Sequence, residues 1–250
     1  MRITSIYMLF AAFIFMGCTH EILQPVPQFF SQKDLLSCAS RDCPEISVDY
    51  ILYPEQKGRE AQLNKAITAF VIESLSLESP KQQPPAAAIE EASRSFIERY
   101  WQDHAAFPDL AAAYFAEISV SESHRSGLLL SLEMRQYKYT GGAHGYGAVR
   151  FTNFDSTTGV ELTPDNIFTA YDSLTKYAEI KFREAFNISE ESNINEERFW
   201  FEKDAFKMPY SIGFRQDSLV LHYNQHEIAS YASAPIELTI ALDEIKEFLK

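Results

Sequence analysis

The sequence predicts an α+β fold, with antiparallel sheet packed against a few amphipathic helices in two small subdomains. Residues 46–52 and much of 114–155 alternate apolar and polar, the period of a strand with one buried face. Residues 59–78, 89–101 and 174–186 instead repeat apolar side chains every three or four positions, the period of an amphipathic helix. The helical stretches fall in blocks between strand runs, without the strict alternation of a doubly wound parallel sheet.

Taken in order, residues 1–17 read as an export signal outside the fold. Arg2 gives a basic start, and Ile6 to Phe15 form an apolar run ending at Met16-Gly17-Cys18. The run is short for a bilayer span and has a small residue before its end, as a cleavable signal does. "FMGCTH" resembles a lipobox, with Phe15 where Leu is usual, so Cys18 is the expected lipidation site. The chain is then expected in a bacterial cell envelope, lipid-anchored and facing the periplasm or exterior. An ordinary signal peptide with an incidental Cys18 is the alternative. Residues 18–45, proline-punctuated and aperiodic in "THEILQPVPQFFSQKD", read as a tether. Within it Cys38 and Cys43 bound "CASRDC", a small disulfide loop in an oxidising compartment. Free thiols are the alternative, and the spacing of a CxxC redox or zinc motif is missing.

From 46 to 155 a first domain is expected. "ISVDYILY" places Ile46, Val48, Tyr50 and Leu52 on one face of a strand. Leu63, Ile67, Phe70, Val71 and Ser74 mark a helix that "ESPKQQPPAAA" breaks. Ile89, Ser93, Phe96, Tyr100 and Trp101 line a second helix that ends before Pro108. "YFAEISVSES" and "SGLLLSLEMRQYKY" read as strands about a turn at 124–127, and "AVRFTNFD" as another. Residues 156–250 form the second expected domain. "STTG" is a hairpin turn, and in "LTPDNIF" Thr163 is an N-cap with Pro164 at the first helical position. Leu174, Tyr177, Ala178, Phe182, Ala185 and Phe186 mark a third long helix. "YSIGF", "SLVLHYN" and "IELTIA" are strands, and "LDEIKEFLK" closes the chain as a helix with Leu242, Ile245, Phe248 and Leu249 on one face.

The formal net charge is −13, from 35 acidic and 22 basic residues, and loss of residues 1–17 would remove Arg2 alone. Such a balance argues against nucleic acid and against anionic headgroups, and it suits a basic partner. The densest candidate for a site is "YTGGAHGYG", residues 139–147, with four of the nine glycines. A phosphate loop is rejected, because a strand pattern follows instead of a helix and no lysine is present. The preferred role for these glycines is a bend in the sheet. Candidate ligand-binding residues are Tyr139, Gly141, Gly142, His144, Tyr146, Asp155, Tyr223 and Glu227. A row of Tyr137, Tyr139 and Tyr146 could stack on sugar rings. His144 would need Asp155 or Glu227 beside it to act as a hydrolytic base, and no catalytic residue is assigned. His222 and His226 would share a strand face about 13 Å apart, too far to chelate one ion unless Asn224-Gln225 turns. No metal ligand or cofactor is assigned.

"ISVDYILYP" followed by "LNKAI", then "LLLSLEMRQYKYTGGAHGYG", "TNFDSTTGVELTPDNIF" and "SLVLHYNQHEIASYA", resemble the recurring phrases of the PdaC/RsiV-type extracytoplasmic module. The resemblance runs from Ile46 to the C-terminus, with His226 where an aromatic, usually Tyr, would stand. It implies a pair of small domains found in a peptidoglycan deacetylase and in an anti-sigma factor, where the homologous region binds lysozyme. The sequence has no "TFDDGP"-like metal motif for the deacetylase reaction, and no cytoplasmic segment with a transmembrane helix. The expected function is thus a lipid-anchored, non-enzymatic module that binds a protein, such as a lysozyme-like muramidase, or a cell-wall ligand. The alternatives are a peptidoglycan- or glycan-binding module and a cell-wall hydrolase that uses His144.

Overall fold

Strand alternation and helical spacing sort the chain into two sheets, each with its own helices. The computed structural model describes residues 24–54, 57–77, 86–108, 113–196 and 198–250. Cys18 and the expected export signal lie outside these residues. The first sheet has six strands in sequence order: β1 (Val26–Ser31), β2 (Glu45–Leu52), β3 (Phe115–Arg125), β4 (Leu129–Tyr139), β5 (Tyr146–Asp155) and β6 (Glu161–Leu162). Neighbours run antiparallel except β2 and β3, which are parallel. Two helices, α1 (Gly58–Leu75) and α2 (Ile89–Ala106), carry the chain from the end of β2 back to the start of β3, which makes the pair parallel.

Both helices cover one face of that sheet. Leu63, Ile67, Phe70, Val71 and Leu75 of α1 and Phe96 and Ile97 of α2 pack on Ile46, Val48, Ile118, Leu130 and Leu132. The smaller lobe holds β7 (Ser211–Arg215), β8 (Ser218–Tyr223) and β9 (Ile236–Ala241) in an antiparallel sheet. Helix α4 (Tyr171–Phe186) buries Leu174, Ala178 and Phe182 in the core it shares with this sheet. A single turn, α3 (Pro164–Ile167), precedes it, with Thr163 and Asn166 forming a capping box. Among the described residues, no helix is long and apolar enough to cross a membrane.

Three expectations need correction. Residues 26–38, expected inside a tether, fold: β1 pairs with β2 from Val26 opposite Leu52 to Ser31 opposite Ser47. The prolines hid this strand, and Pro27 is tolerated because β1 is an edge strand. Cys38 and Cys43 are joined by a disulfide, and its loop rests on α2, where Arg41 lies 3.9 Å from the Trp101 ring and Trp101 donates to the Asp42 carbonyl. The C-terminal helix is also shorter than expected. After α5 (Leu242–Ile245) and a 3-10 turn, Thr169 N donates to Phe248 O and Lys250 N to Ile167 O, so the end of the chain pairs with another segment. Third, β8 stops at Tyr223, and a tight turn with His226 at φ 68° separates His226 from His222.

Candidate ligand-binding face

The glycine stretch forms the β4–β5 hairpin loop. Gly141 and Gly142 adopt φ +89° and +94°, the left-handed region that glycine enters without a Cβ penalty. The Tyr139 hydroxyl donates to Gly142 O at 2.8 Å and pins the bend. Gly145 and Gly147 serve a different end. A Cβ at Gly145 would sit 2.6 Å from the Tyr137 hydroxyl, and one at Gly147 would sit 3.1 Å from its ring edge. The Tyr137 ring therefore lies along β5 over both glycines. His144 is exposed, its ring 4.5 Å from that of Tyr231, which packs on its other neighbour His226 at 5.4 Å. The Tyr231 hydroxyl donates to Gly145 O, tying the hairpin to the smaller lobe.

The candidate residues named from sequence separate into two groups. Tyr139, Gly141, Gly142 and His144 gather at the hairpin. Tyr146 stands opposite Lys138, and strand alternation puts that pair on the sheet face opposite Tyr137 and Tyr139. The expected three-tyrosine row is therefore split between faces. Asp155 lies at the far end of β5, ~30 Å from the hairpin at about 3.3 Å per residue. Its carboxylate accepts from Thr157 N and Thr158 N, both at 2.8 Å. Burial would raise its pKa, but those backbone donors outweigh burial and hold it below the ordinary value. Glu227 accepts from Tyr210 N and Asn224 N, each at 2.9 Å, and so fixes the turn after β8. Tyr223 is only 1% exposed, within the aromatic core around Phe182 and Phe201, and its hydroxyl donates to Lys207 O. Burial, followed by the Glu227 charge, pushes that hydroxyl's pKa up. Neither Asp155 nor Glu227 orients His144. Among the described residues, no three metal-type ligands converge.

Alternation along the strands defines a larger surface on the face away from α1 and α2. Three aromatic residues there each stand directly opposite a carboxylate on the next strand. Phe29 of β1 faces Asp49 of β2, Glu45 of β2 faces Phe115 of β3, and Glu117 of β3 faces Tyr137 of β4. Residues so paired have Cβ atoms about 5 Å apart. Phe29 is 63% and Tyr137 43% exposed, large values for apolar rings. Phe115 joins the tyrosines into one patch, its centroid 5.5 Å from Tyr137 and 6.0 Å from Tyr139. Among the described residues Glu45, Asp49 and Glu117 make no ion pair, and Arg135 on the same face is held by Glu133. Phe29, Glu45, Asp49, Phe115 and Glu117 were not singled out from sequence. For the β2 pair a signal existed, because Ile46 and Val48 facing inward leave Glu45 and Asp49 outward.

The other half of this face is covered by the smaller lobe. Asn224 accepts from Val149 N and donates to Val149 O, so its amide closes the free edge of β5. Ser211 Oγ accepts from Phe151 N, Asn153 Nδ2 donates to Ile212 O, and Phe214 N donates to Ser131 Oγ. Gly213 lets β7 approach, since a Cβ there would fall 2.3 Å from Phe151. Glu133, 6% exposed, is held between Arg135 and Arg215; Arg215 also reaches Glu237 at 2.7 Å, and Glu237 reaches His222 at 3.2 Å. Burial raises the Glu237 carboxyl, but the Arg215 and His222 bonds outweigh it and hold it low.

A mixed sheet under two helices, followed by a small sheet with its own helix, defines a two-lobed α+β protein with one half-covered sheet face. The lobes correspond to two family models. Residues 39–146 match the family described as Deacetylase PdaC, and residues 161–243 match DUF3298, a family of unknown function. The chain thus carries a PdaC domain and a DUF3298 domain in tandem. Among solved structures it is similar to a DUF3298 family protein from Pseudomonas aeruginosa PAO1, at 17% identity and TM-score 0.64 over 91% of this chain and 93% of that one. It is also similar to a DUF3298 family member from Bacteroides fragilis NCTC 9343, at 19% identity and TM-score 0.66 over 91% and 92%. Likenesses at these identities concern the fold. No curated protein matches the sequence.

Proposed function

We propose that this protein is an extracytoplasmic binding module, lipid-anchored through Cys18, whose outer sheet face takes a cell-wall glycan. The observation that carries this reading is the aromatic patch of half-buried Phe115 and Tyr139 with exposed Tyr137, and exposed Phe29 further along the same face, on a sheet whose other outer half is covered. Exposed aromatic patches mark interaction sites, and flat rings stack well on the apolar faces of sugars. The Cys38–Cys43 disulfide supports an oxidising, extracytoplasmic setting. The PdaC family name concerns a deacetylase; no covalent step is assigned to this chain, because Asp155 and Glu227 serve the backbone of turns and neither orients His144. Co-sedimentation with purified peptidoglycan sacculi tests the reading. The wild type is expected to pellet, and Tyr137→Ala with Phe115→Ala to stay in solution while melting as the wild type does. A variant that still pellets would sink this assignment.

A second reading, a basic muramidase as ligand, is supported by the net charge of −13. Its signature is low-salt binding of a lysozyme, micromolar or tighter, that weakens as salt rises.

A further inference from the structure

Resting on the glycan reading, we propose that the outer face selects amino sugars, hexosamines carrying a free amine in place of an N-acetyl group. The basis is the ring–carboxylate pairing across strands: Phe29 with Asp49, Phe115 with Glu45, and Tyr137 with Glu117. Each pair places an apolar plane and a carboxylate about 5 Å apart at the Cβ atoms. A hexosamine stacked by its C–H face on such a ring carries its nitrogen at the ring's margin, toward the neighbouring strand. A protonated amine there donates a charge-assisted hydrogen bond to the carboxylate. An N-acetyl group brings no charge, and its carbonyl oxygen is an acceptor facing an acceptor. A sugar bearing its own carboxylate is repelled by all three acids.

Charge on the face agrees with this. Its one arginine, Arg135, is held by Glu133, whereas Glu45, Asp49 and Glu117 make no ion pair among the described residues. The covered half of the same sheet already uses the complementary arrangement. There Arg215 lies 5.6 Å from the Phe151 ring while its guanidinium binds Glu133 and Glu237. The open half supplies rings and carboxylates whose neighbouring cation, Arg135, is already paired with Glu133. A sugar chain suits it better than a basic peptide because Phe115 sits between two tyrosine rings, inclined 43° to Tyr137 and 28° to Tyr139, a run of ring surfaces on which successive sugars can stack. Phe115 adjoins both Tyr137 and Tyr139, and Gly145 and Gly147 let the Tyr137 ring lie against the hairpin backbone.

The test is calorimetric titration of the full chain at low salt with glucosamine oligosaccharides and with N-acetylglucosamine oligosaccharides of equal length. Poly-L-arginine serves as a third probe. The amine form is expected to bind about tenfold tighter or more, equivalent to roughly 1.4 kcal/mol. Glu45→Gln with Glu117→Gln should bring the two sugars close to equal, and Tyr137→Ala should weaken both. All three positions are exposed or at the surface, so melting temperatures should stay near the wild-type value. Equal affinities in the wild type would overturn amine selection and leave the glycan reading standing. Binding of neither sugar would overturn both. Poly-L-arginine binding that depends on Tyr137, with neither sugar bound, would identify a basic polypeptide as the occupant and overturn both as well.

Discussion

Gly213 and Gly147 show how a missing side chain shapes opposite halves of one sheet face. At Gly213 the absent Cβ lets β7 rest on Phe151, which would otherwise be 2.3 Å away. Phe151 is itself buried with Val149 and Val220, so it has little room to yield. Gly213→Ala is expected to lower stability by ~2–3 kcal/mol, the range of overpacking in a filled interior, seen as a reduced denaturant midpoint with an unchanged slope. Gly147 instead makes room for the exposed Tyr137 ring, so Gly147→Ala should disturb ligand binding more than folding. Asp155 carries a prediction that depends on pH. Its folded pKa is held below the ordinary 3.8, so its stabilisation is complete above that value and is lost as pH falls through the folded pKa. Asp155→Ala should therefore cost ~1–2 kcal/mol at neutral pH, with wild type and variant converging in stability under acid. A pH-independent difference would show that the two backbone hydrogen bonds are not its main role.

At the level of elements, what the sequence revealed depended on whether a local pattern was sufficient. Strands β3, β4 and β5 were legible because a buried inner face forces alternation, and α1 because Leu63, Ile67, Phe70 and Val71 fall on one stripe that is buried. The N-cap at Thr163 and the positive-φ glycines of the hairpin were also legible, since both are local chemistry. Strand β1 was not, because Pro25 and Pro27 read as linker and its edge position needs alternation only at Phe29 and Phe30. The C-terminal helix was overextended because its helical spacing competes with long-range pairing to residues 167–169, which no window reveals. The same limit applied to the site. The Tyr137, Tyr139 and Tyr146 row ignored a loop that returns Tyr146 to the other face, and the ring–carboxylate pairs depend on register across four strands. Asp155 and Glu227 were plausible partners for His144 by chemistry alone, but both are committed to turn backbone.

For the whole molecule, the central feature is the unequal covering of one sheet. One face carries α1 and α2, while half of the other carries the smaller lobe, fastened by side chains that hydrogen-bond to backbone and by the Glu133–Arg215–Glu237 chain. A hydrogen-bonded polar interface of this kind holds two lobes in one arrangement. It leaves the rest of the face as a rigid, aromatic and acidic platform between β1 and the glycine hairpin. Backbone and side-chain chemical-shift mapping, with soluble glycan fragments released from sacculi, tests that claim most directly. Shifts are expected to concentrate at Phe29, Glu45, Asp49, Phe115, Glu117, Tyr137 and Tyr139. Shifts concentrated instead on α1 and α2 or around α4, with this face silent, would contradict it.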